Sequence, residues 1–132
     1  MTETTRVTWT SNTAVHVAFG FLMMGGWAMF ANRHHPLDDA ALAGLVQGTI
    51  SGSLTLVLKK FLEWINARFV GLPALVVPPL VTAASIFLIL FSAHTLAGTP
   101  EIAATIAVPF TVSTAYAILY NLGLWRETHG RR

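Results

Sequence analysis

The sequence predicts an all-α membrane protein with four transmembrane helices, and two observations carry this prediction. Of the 132 residues, 54% are hydrophobic and 11% are charged, which is far from the usual composition of a soluble domain. Four stretches contain no Asp, Glu, Lys or Arg, at residues 13–31, 41–58, 72–97 and 102–125. Each is close to or beyond the roughly 20 residues of helix that cross a hydrocarbon core. Too little of the chain remains for a soluble domain, so residues 1–132 are predicted to form one four-helix transmembrane domain.

The first predicted helix, 13–31, is expected to remain as a membrane anchor. It reaches Asn32 and Arg33 without a convincing small-x-small cleavage site, which distinguishes it from a secretory signal peptide. Cysteine is absent, so disulfides and thiolate metal sites are excluded.

The second predicted helix, 41–58, carries a small residue at every fourth position. The positions are Ala40, Gly44, Gly48 and Gly52. In a bilayer, small residues let helix backbones approach closely and gain van der Waals contact, so this stripe predicts a helix-packing interface. Gln47, Ser51 and Thr55 lie beside the stripe, where they could hydrogen-bond across an interface or to their own helix.

The same helix is predicted to continue beyond the membrane over residues 59–69. Phe61, Ile65 and Phe69 recur at four-residue spacing among charged residues, which is typical of a helix lying at the lipid headgroups. We therefore expect a short interfacial helical extension after the second helix.

The third and fourth predicted helices contain internal prolines at Pro78, Pro79 and Pro109. Each proline removes a helix hydrogen bond, and the freed carbonyl must find another partner. We expect packing kinks, with a hinge or a polar cavity as the functional alternative.

Polar connections are predicted to cap two of the helices. Asp38 or Asp39 is expected to cap the second helix and to complement its dipole. For the fourth helix we expect Thr99 as the N-cap, with Glu101 in the first turn.

The fourth helix repeats the small-residue pattern. The positions are Ala103, Ala107, Thr111 and Ala115. We expect this stripe to pack against the glycine stripe of the second helix. The alternatives are self-association, docking to a larger membrane partner, or a narrow polar path lined by Gln47 and the hydroxyls.

A weak internal similarity relates Val46–Ser51 to Val108–Ser113, with matches at Val, Thr and Ser. If it reflects duplication, the protein consists of two helical hairpins in parallel repeat. So few identities in apolar sequence also arise by chance, and both interpretations stay open.

The basic residues predict the orientation. In a four-helix topology, Arg33 stands alone on one side, and the other Lys and Arg residues share the opposite side. These are Arg6, Lys59, Lys60, Arg68, Arg126, Arg131 and Arg132. Because Lys and Arg accumulate on the cytoplasmic side, we expect a bacterial inner membrane with both termini in the cytoplasm. The basic character then favours anionic lipid, and no nucleic-acid partner is predicted.

Several function classes are disfavoured. The spans hold no carboxylate and no fixed cation, which are the usual marks of ion-coupled transport. In particular, the first helix lacks the glutamate expected of small multidrug-resistance transporters. The serines in the spans have no sequence-evident base or orienting acid, so no enzyme is predicted.

The polar residues of the outer connections are the strongest candidates for a metal site. They are His34, His35 and His94 with Asp38, Asp39 and Glu101, a set of borderline ligands if they meet in space. Helix capping already accounts for the acids, so we predict neither a metal nor another cofactor. His16 and His94 lie near opposite ends of their spans and cannot share one haem iron.

The sequence therefore predicts a small non-catalytic integral membrane subunit, scaffold or oligomeric component of an inner-membrane complex. Its expected partners are the lipid bilayer and other membrane subunits or further copies of the chain. The alternative is a passive channel or small-solute transporter with a polar path along the second and fourth helices.

Overall fold

The computed structural model describes residues 3–129, with side chains from residue 12 onward, as four α-helices. They are α1 (Glu3–Ala31), α2 (Leu37–Asn66), α3 (Leu72–Ala97) and α4 (Ile102–His129). The described part of the chain contains no strand. Each helix includes a segment long and apolar enough to cross a membrane, beginning at Asn12 in α1. The prediction of an all-α fold with four long apolar helices is confirmed.

The bundle has two distinct ends. The connections 32–36 and 98–101 lie together at one end, which we call the hairpin end. The connection 67–71 and the first and last described residues lie at the other, which we call the terminal end. Helices α2 and α4 each contact all three other helices, whereas α1 and α3 do not contact each other. The most extensive contacts are between α1 and α2 and between α3 and α4, so two hairpins lie side by side.

The interior is polar to an unusual degree, and the exterior is apolar. The apolar core is small and comes from α2, α3 and α4, with Leu62, Ile86 and Leu90 fully buried. Several polar side chains are fully buried as well: Asn32, Gln47, Thr82, His94, Thr105 and Asn121. Large apolar side chains cover the outside, including Phe19, Leu22, Leu88, Leu96 and Leu119. This distribution is the reverse of that in a soluble domain.

The glycine stripe of α2 lies against α1. A Cβ added at Gly48 would lie 2.9 Å from the carbonyl oxygen of Phe21, and one added at Gly25 would lie 2.9 Å from that of Gly44. Gly52 faces Val17 at the same interface. At Gly25 and Gly48 the two backbones are therefore too close for a side chain, whereas a Cβ at Gly52 would be at ordinary contact distance from Val17.

The expected pairing of this stripe with α4 is not formed. The four residues of the α4 stripe are all exposed: Ala103, Ala107, Thr111 and Ala115. Ala40, at the start of the α2 stripe, is buried. The physical reason is that close approach needs small residues on both helices at the point of contact. Gly25 of α1 supplies one opposite Gly44 and Gly48 of α2, and Gly20 lies against Ser51 and Thr55.

The expected caps are also wrong. Pro36 is the N-cap of α2 and makes no side-chain cap bond, while Asp38 and Asp39 lie in the first turn, where they complement the helix dipole. At the start of α4, the backbone N–H of Glu101 donates to Asn32 Oδ1 at 2.9 Å. The cap thus comes from the other hairpin, which local sequence cannot reveal.

The extension of α2 runs without a break to Asn66. Leu62 and Ile65 are buried within it, so the extension packs on the bundle along one side. On its exposed side the Arg68 guanidinium lies 3.5 Å from the centroid of the Trp64 ring.

The prolines of α3 explain a cluster of buried amides at the terminal end. Pro78 and Pro79 have no N–H, so the carbonyls four residues earlier, those of Ala74 and Leu75, lose their helix partners. Asn121 of α4 donates from Nδ2 to both carbonyls, at 3.1 and 2.9 Å. Asn66 of α2 donates to the Ala74 carbonyl at 3.0 Å and to Asn121 Oδ1 at 2.9 Å. The prolines therefore create the acceptors that tie three helices together.

We predict that Gly48→Leu destabilises the protein by separating α1 from α2. Removal of close backbone contact costs the van der Waals energy on which helix association in lipid depends. Gly26→Leu is the matched control, because a Cβ at Gly26 meets nothing within 4 Å. The melting temperature in mild detergent should fall for Gly48→Leu and stay near that of wild type for Gly26→Leu. Equal melting temperatures for the two variants would contradict close packing of α1 on α2.

We also predict that the cost of Asn121→Leu depends on the prolines. In the natural sequence the change leaves a buried carbonyl without a donor, which costs about 1–3 kcal/mol. With Pro78→Ala and Pro79→Ala in place, restored backbone N–H groups can bond Ala74 and Leu75 instead. Equilibrium unfolding of the four variants in detergent should show a smaller cost in the alanine background, by about 1 kcal/mol. An unchanged cost would mean that Asn121 acts through packing alone.

Candidate functional site

A chain of buried polar side chains leads from the hairpin end into the middle of the bundle. His94 Nδ1 lies 2.7 Å from Thr99 Oγ1, and His94 Nε2 lies 2.9 Å from Gln47 Oε1. Gln47 Nε2 then donates to Ser51 Oγ at 2.9 Å. We call these four residues the polar chain. Gln47 and His94 are completely buried, so each must satisfy its polar atoms within it.

The donors and acceptors of the polar chain are consistent with neutral His94. With the amide oxygen of Gln47 facing the ring, His94 Nε2 is the donor of this bond, because an amide oxygen can only accept. Nδ1 is then an acceptor for the Thr99 hydroxyl. Every nitrogen of the imidazole has a partner, and the ring joins α2 to α3.

Local backbone geometry places Thr99 against the histidine. Gly98 ends α3 in the left-handed conformation, with φ at 71°, which glycine adopts without steric cost. The turn brings the N–H of Thr99 back to the carbonyl of His94, at 3.0 Å. This reversal is the usual helix end at glycine, and it orients the threonine hydroxyl toward the imidazole.

A second buried contact ties α1 to α4 at the hairpin end. Asn32 Nδ2 donates to Thr105 Oγ1 and to the carbonyl of Ala28, both at 2.8 Å. Trp27 Nε1 donates to the carbonyl of Ala104 at 2.9 Å. These bonds hold the end of α1 against the start of α4.

Farther toward the terminal end, α1 and α4 are separated by a cleft of about 500 Å³. Its walls are α1 and α4, and α2 forms its floor. The lining residues are His16, Gly20, Ser51, Leu54, Thr55, Leu58, Lys59, Val112, Ser113 and Tyr116. Ser51 belongs to both features, so the polar chain ends in the cleft.

Lys59 is the one fixed charge among the residues that line the cleft. It makes no ion pair within the described residues. Glu63, one turn beyond Lys59, instead accepts a hydrogen bond from the Tyr120 hydroxyl. Ser113 and Tyr116 contribute hydroxyls to the same lining, and His16 contributes an imidazole.

A larger depression, of about 610 Å³, lies between α1 and α2 on the outside of the bundle. Its lining is almost wholly apolar and includes Val17, Phe21, Leu22 and Leu56. Such a surface suits lipid tails and offers little for chemistry, so the smaller cleft is the candidate site.

The structure brings some of the sequence-predicted residues together and separates others. Gln47 and Ser51 are bonded in the polar chain, and Thr55 lines the cleft while donating to the Ser51 carbonyl at 2.9 Å. The two serines of the weak repeat, Ser51 and Ser113, line the same cleft; the repeat itself stays a prediction.

The six residues considered for a metal do not meet. His35 Nε2 lies 3.0 Å from Glu101 Oε1, while His94 is engaged inside the bundle by Gln47 and Thr99. Within the described residues no group of three His, Asp or Glu side chains could hold a metal ion.

Sequence reasoning missed the buried asparagines. Asn121 lies inside a charge-free span, where an amide needs a buried partner, and this signal could have marked it. Asn32 directly follows the predicted span 13–31, and the structure buries it fully and bonds it to Thr105 of α4.

Comparison with known protein families, with curated proteins and with solved structures gives no match for this chain.

Proposed function

We propose that the chain is a small non-catalytic integral membrane protein that acts as a subunit or scaffold of an inner-membrane assembly. The observation that carries this proposal is the exposed face of small residues on α4. We call Ala103, Ala107, Thr111 and Ala115 the α4 face.

The reversed distribution of polar and apolar side chains supports insertion in a bilayer. Exposed Phe19, Leu88 and Leu119 would meet water in a soluble bundle, at a cost of about 25 cal/mol per Å² of apolar surface. In lipid the same side chains are solvated by hydrocarbon, and the buried amides and hydroxyls bond across helices.

The charges at the two ends support the proposed orientation. Lys59, Lys60 and Arg68 lie at the terminal end, and Arg131 and Arg132 lie outside the described residues. The acids Asp38 and Glu101 lie at the hairpin end. By the preference of basic residues for the cytoplasm, the terminal end faces the cytoplasm.

The α4 face has a counterpart within the same molecule. The glycines of α2 form a similar small-residue stripe, and α1 lies directly on it. On α4, the hydroxyl of Thr111 is bonded to the carbonyl of Ala107 at 2.7 Å, so the face presents a smooth surface. A helix of another subunit could approach it closely.

A second candidate function is passage of a small solute. It is favoured by the continuity of the polar chain with the cleft through Ser51, since polar paths in membranes follow such groups. Purified chain that conducts a solute by itself in liposomes would favour this candidate over the first.

The proposed topology predicts which positions react from outside. The chain has no native cysteine, so single-cysteine variants report without background. In intact cells a membrane-impermeant maleimide should label Asp38→Cys, and it should label Lys60→Cys only after the membrane is permeabilised. Labelling of position 60 in intact cells would show that the proposed orientation is wrong.

The association proposal predicts that Ala107→Leu releases a partner while the bundle stays intact. Ala107 is exposed, so a larger side chain there can extend away from the bundle and should leave the melting temperature near that of wild type. Ala84→Leu is the matched control, because Ala84 is an exposed alanine within the apolar span of α3. We would measure the size and composition of the native assembly in mild detergent. We expect the Ala107→Leu variant to lose its partner and the Ala84→Leu variant to keep it. Assemblies of equal size and composition in both variants would refute the α4 face as an interface.

A further inference from the structure

We propose that the cleft between α1 and α4 binds one anionic phospholipid from the leaflet at the terminal end. The proposal rests on the membrane insertion argued above, and it is independent of the orientation and of the α4 face.

Three polar side chains surround the cleft at one level. A Cβ at Gly20 would lie 3.0 Å from Thr55 Oγ1. Because α1 and α2 are antiparallel, one helical turn farther brings His16 level with Lys59. We call His16, Lys59 and Tyr116 the cleft mouth.

The position of Tyr116 follows from its neighbour one turn on. Tyr120 donates to Glu63, and α4 runs parallel to α2. One turn back along both helices, Tyr116 is therefore level with Lys59. Its ring stacks on that of Tyr120, with centroids 5.6 Å apart.

The cleft mouth has the chemistry of a phosphate site. It offers an ammonium, an imidazole and a phenol as hydrogen-bond donors, and bonds from charged donors to phosphate are about twice as strong as neutral ones. Lys59 makes no ion pair within the described residues, and Glu63, one turn farther along α2, accepts the hydroxyl of Tyr120.

The rest of the cleft suits an acyl chain. From Lys59 to Ser51 the floor extends over eight residues of α2, or about 12 Å at 1.5 Å per residue. Leu54, Leu58 and Val112 line this depth, and the side opposite α2 opens out of the bundle. A volume of about 500 Å³ is within the usual range for a bound small molecule.

The depth of the cleft mouth selects a lipid over a soluble anion. Lys59 is the first charged residue after the span 41–58, which places its ammonium where headgroup phosphates lie. Anionic lipids concentrate next to basic residues at this level. Headgroup and tail would thus match the polar and apolar parts of one cleft.

The test uses the full chain in phosphatidylcholine vesicles with and without phosphatidylglycerol, followed by extraction in mild detergent and native mass spectrometry of retained lipid. We expect one phosphatidylglycerol per chain and about tenfold less retention by Lys59→Gln, the loss that about 1.4 kcal/mol of binding free energy gives. Lys60→Gln is the matched control, because Lys60 is exposed on the next position of α2 and does not line the cleft.

A second variant tests the apolar part of the cleft. Ser113→Phe should fill it and abolish lipid retention, while the melting temperature in lipid-free detergent stays near that of wild type. An equal loss of retained phosphatidylglycerol in Lys59→Gln and Lys60→Gln would indicate nonspecific attraction of the lipid to the basic surface, and it would overturn the proposal. So would stabilisation by inorganic phosphate without lipid, or cross-linking of a second copy through cysteines placed at the cleft.

Discussion

Hydrogen bonds between buried side chains of different helices hold this bundle together, and most of its other features depend on them. They occur at three levels: Asn32 with Thr105, Gln47 with His94, and Asn66 with Asn121. In lipid, apolar contact between helices adds little beyond contact with the tails, so packing and buried polar bonds must supply the association. Because a buried amide without a partner costs more than a made bond gains, these contacts also fix which helix faces meet.

Helix α1 is attached differently from the other three, and the cleft follows from that difference. Glycines bring it against α2, and Trp27 and Asn32 bond it to α4 at the hairpin end. Near His16 the cleft lies between the two helices. The close glycine contact therefore positions α1 along α2, and the asparagine sets which end of α1 reaches α4.

The number and type of the helices could be predicted from the sequence because a charge-free apolar stretch is a local property. Which faces meet is not local. Small residues on α2 and α4 predicted two packing stripes, but only the glycines of α2 pack closely against another helix. That helix is α1, where Gly25 lies opposite Gly44 and Gly48. Asn32 looked like a loop residue, since its role as cap for Glu101 depends on a hairpin 69 positions away. Of the candidate site, Gln47, Ser51 and Thr55 were predicted as polar neighbours, whereas the parts of the cleft on α1 and α4 could come only from three-dimensional packing.

The two proposed binding surfaces are neighbouring sides of one helix. Thr111 and Ala115 belong to the α4 face, and the next residue after each, Val112 and Tyr116, lines the cleft. Successive residues on a helix are about 100° apart, so a partner helix seated on the α4 face would lie beside the opening of the cleft. A lipid held at Lys59 would then contact both the bundle and the partner. Close packing of small residues and capture of an anionic lipid would in that case stabilise the same interface. The first would act through van der Waals contact, and the second through the ammonium of Lys59, which makes no ion pair within the described residues.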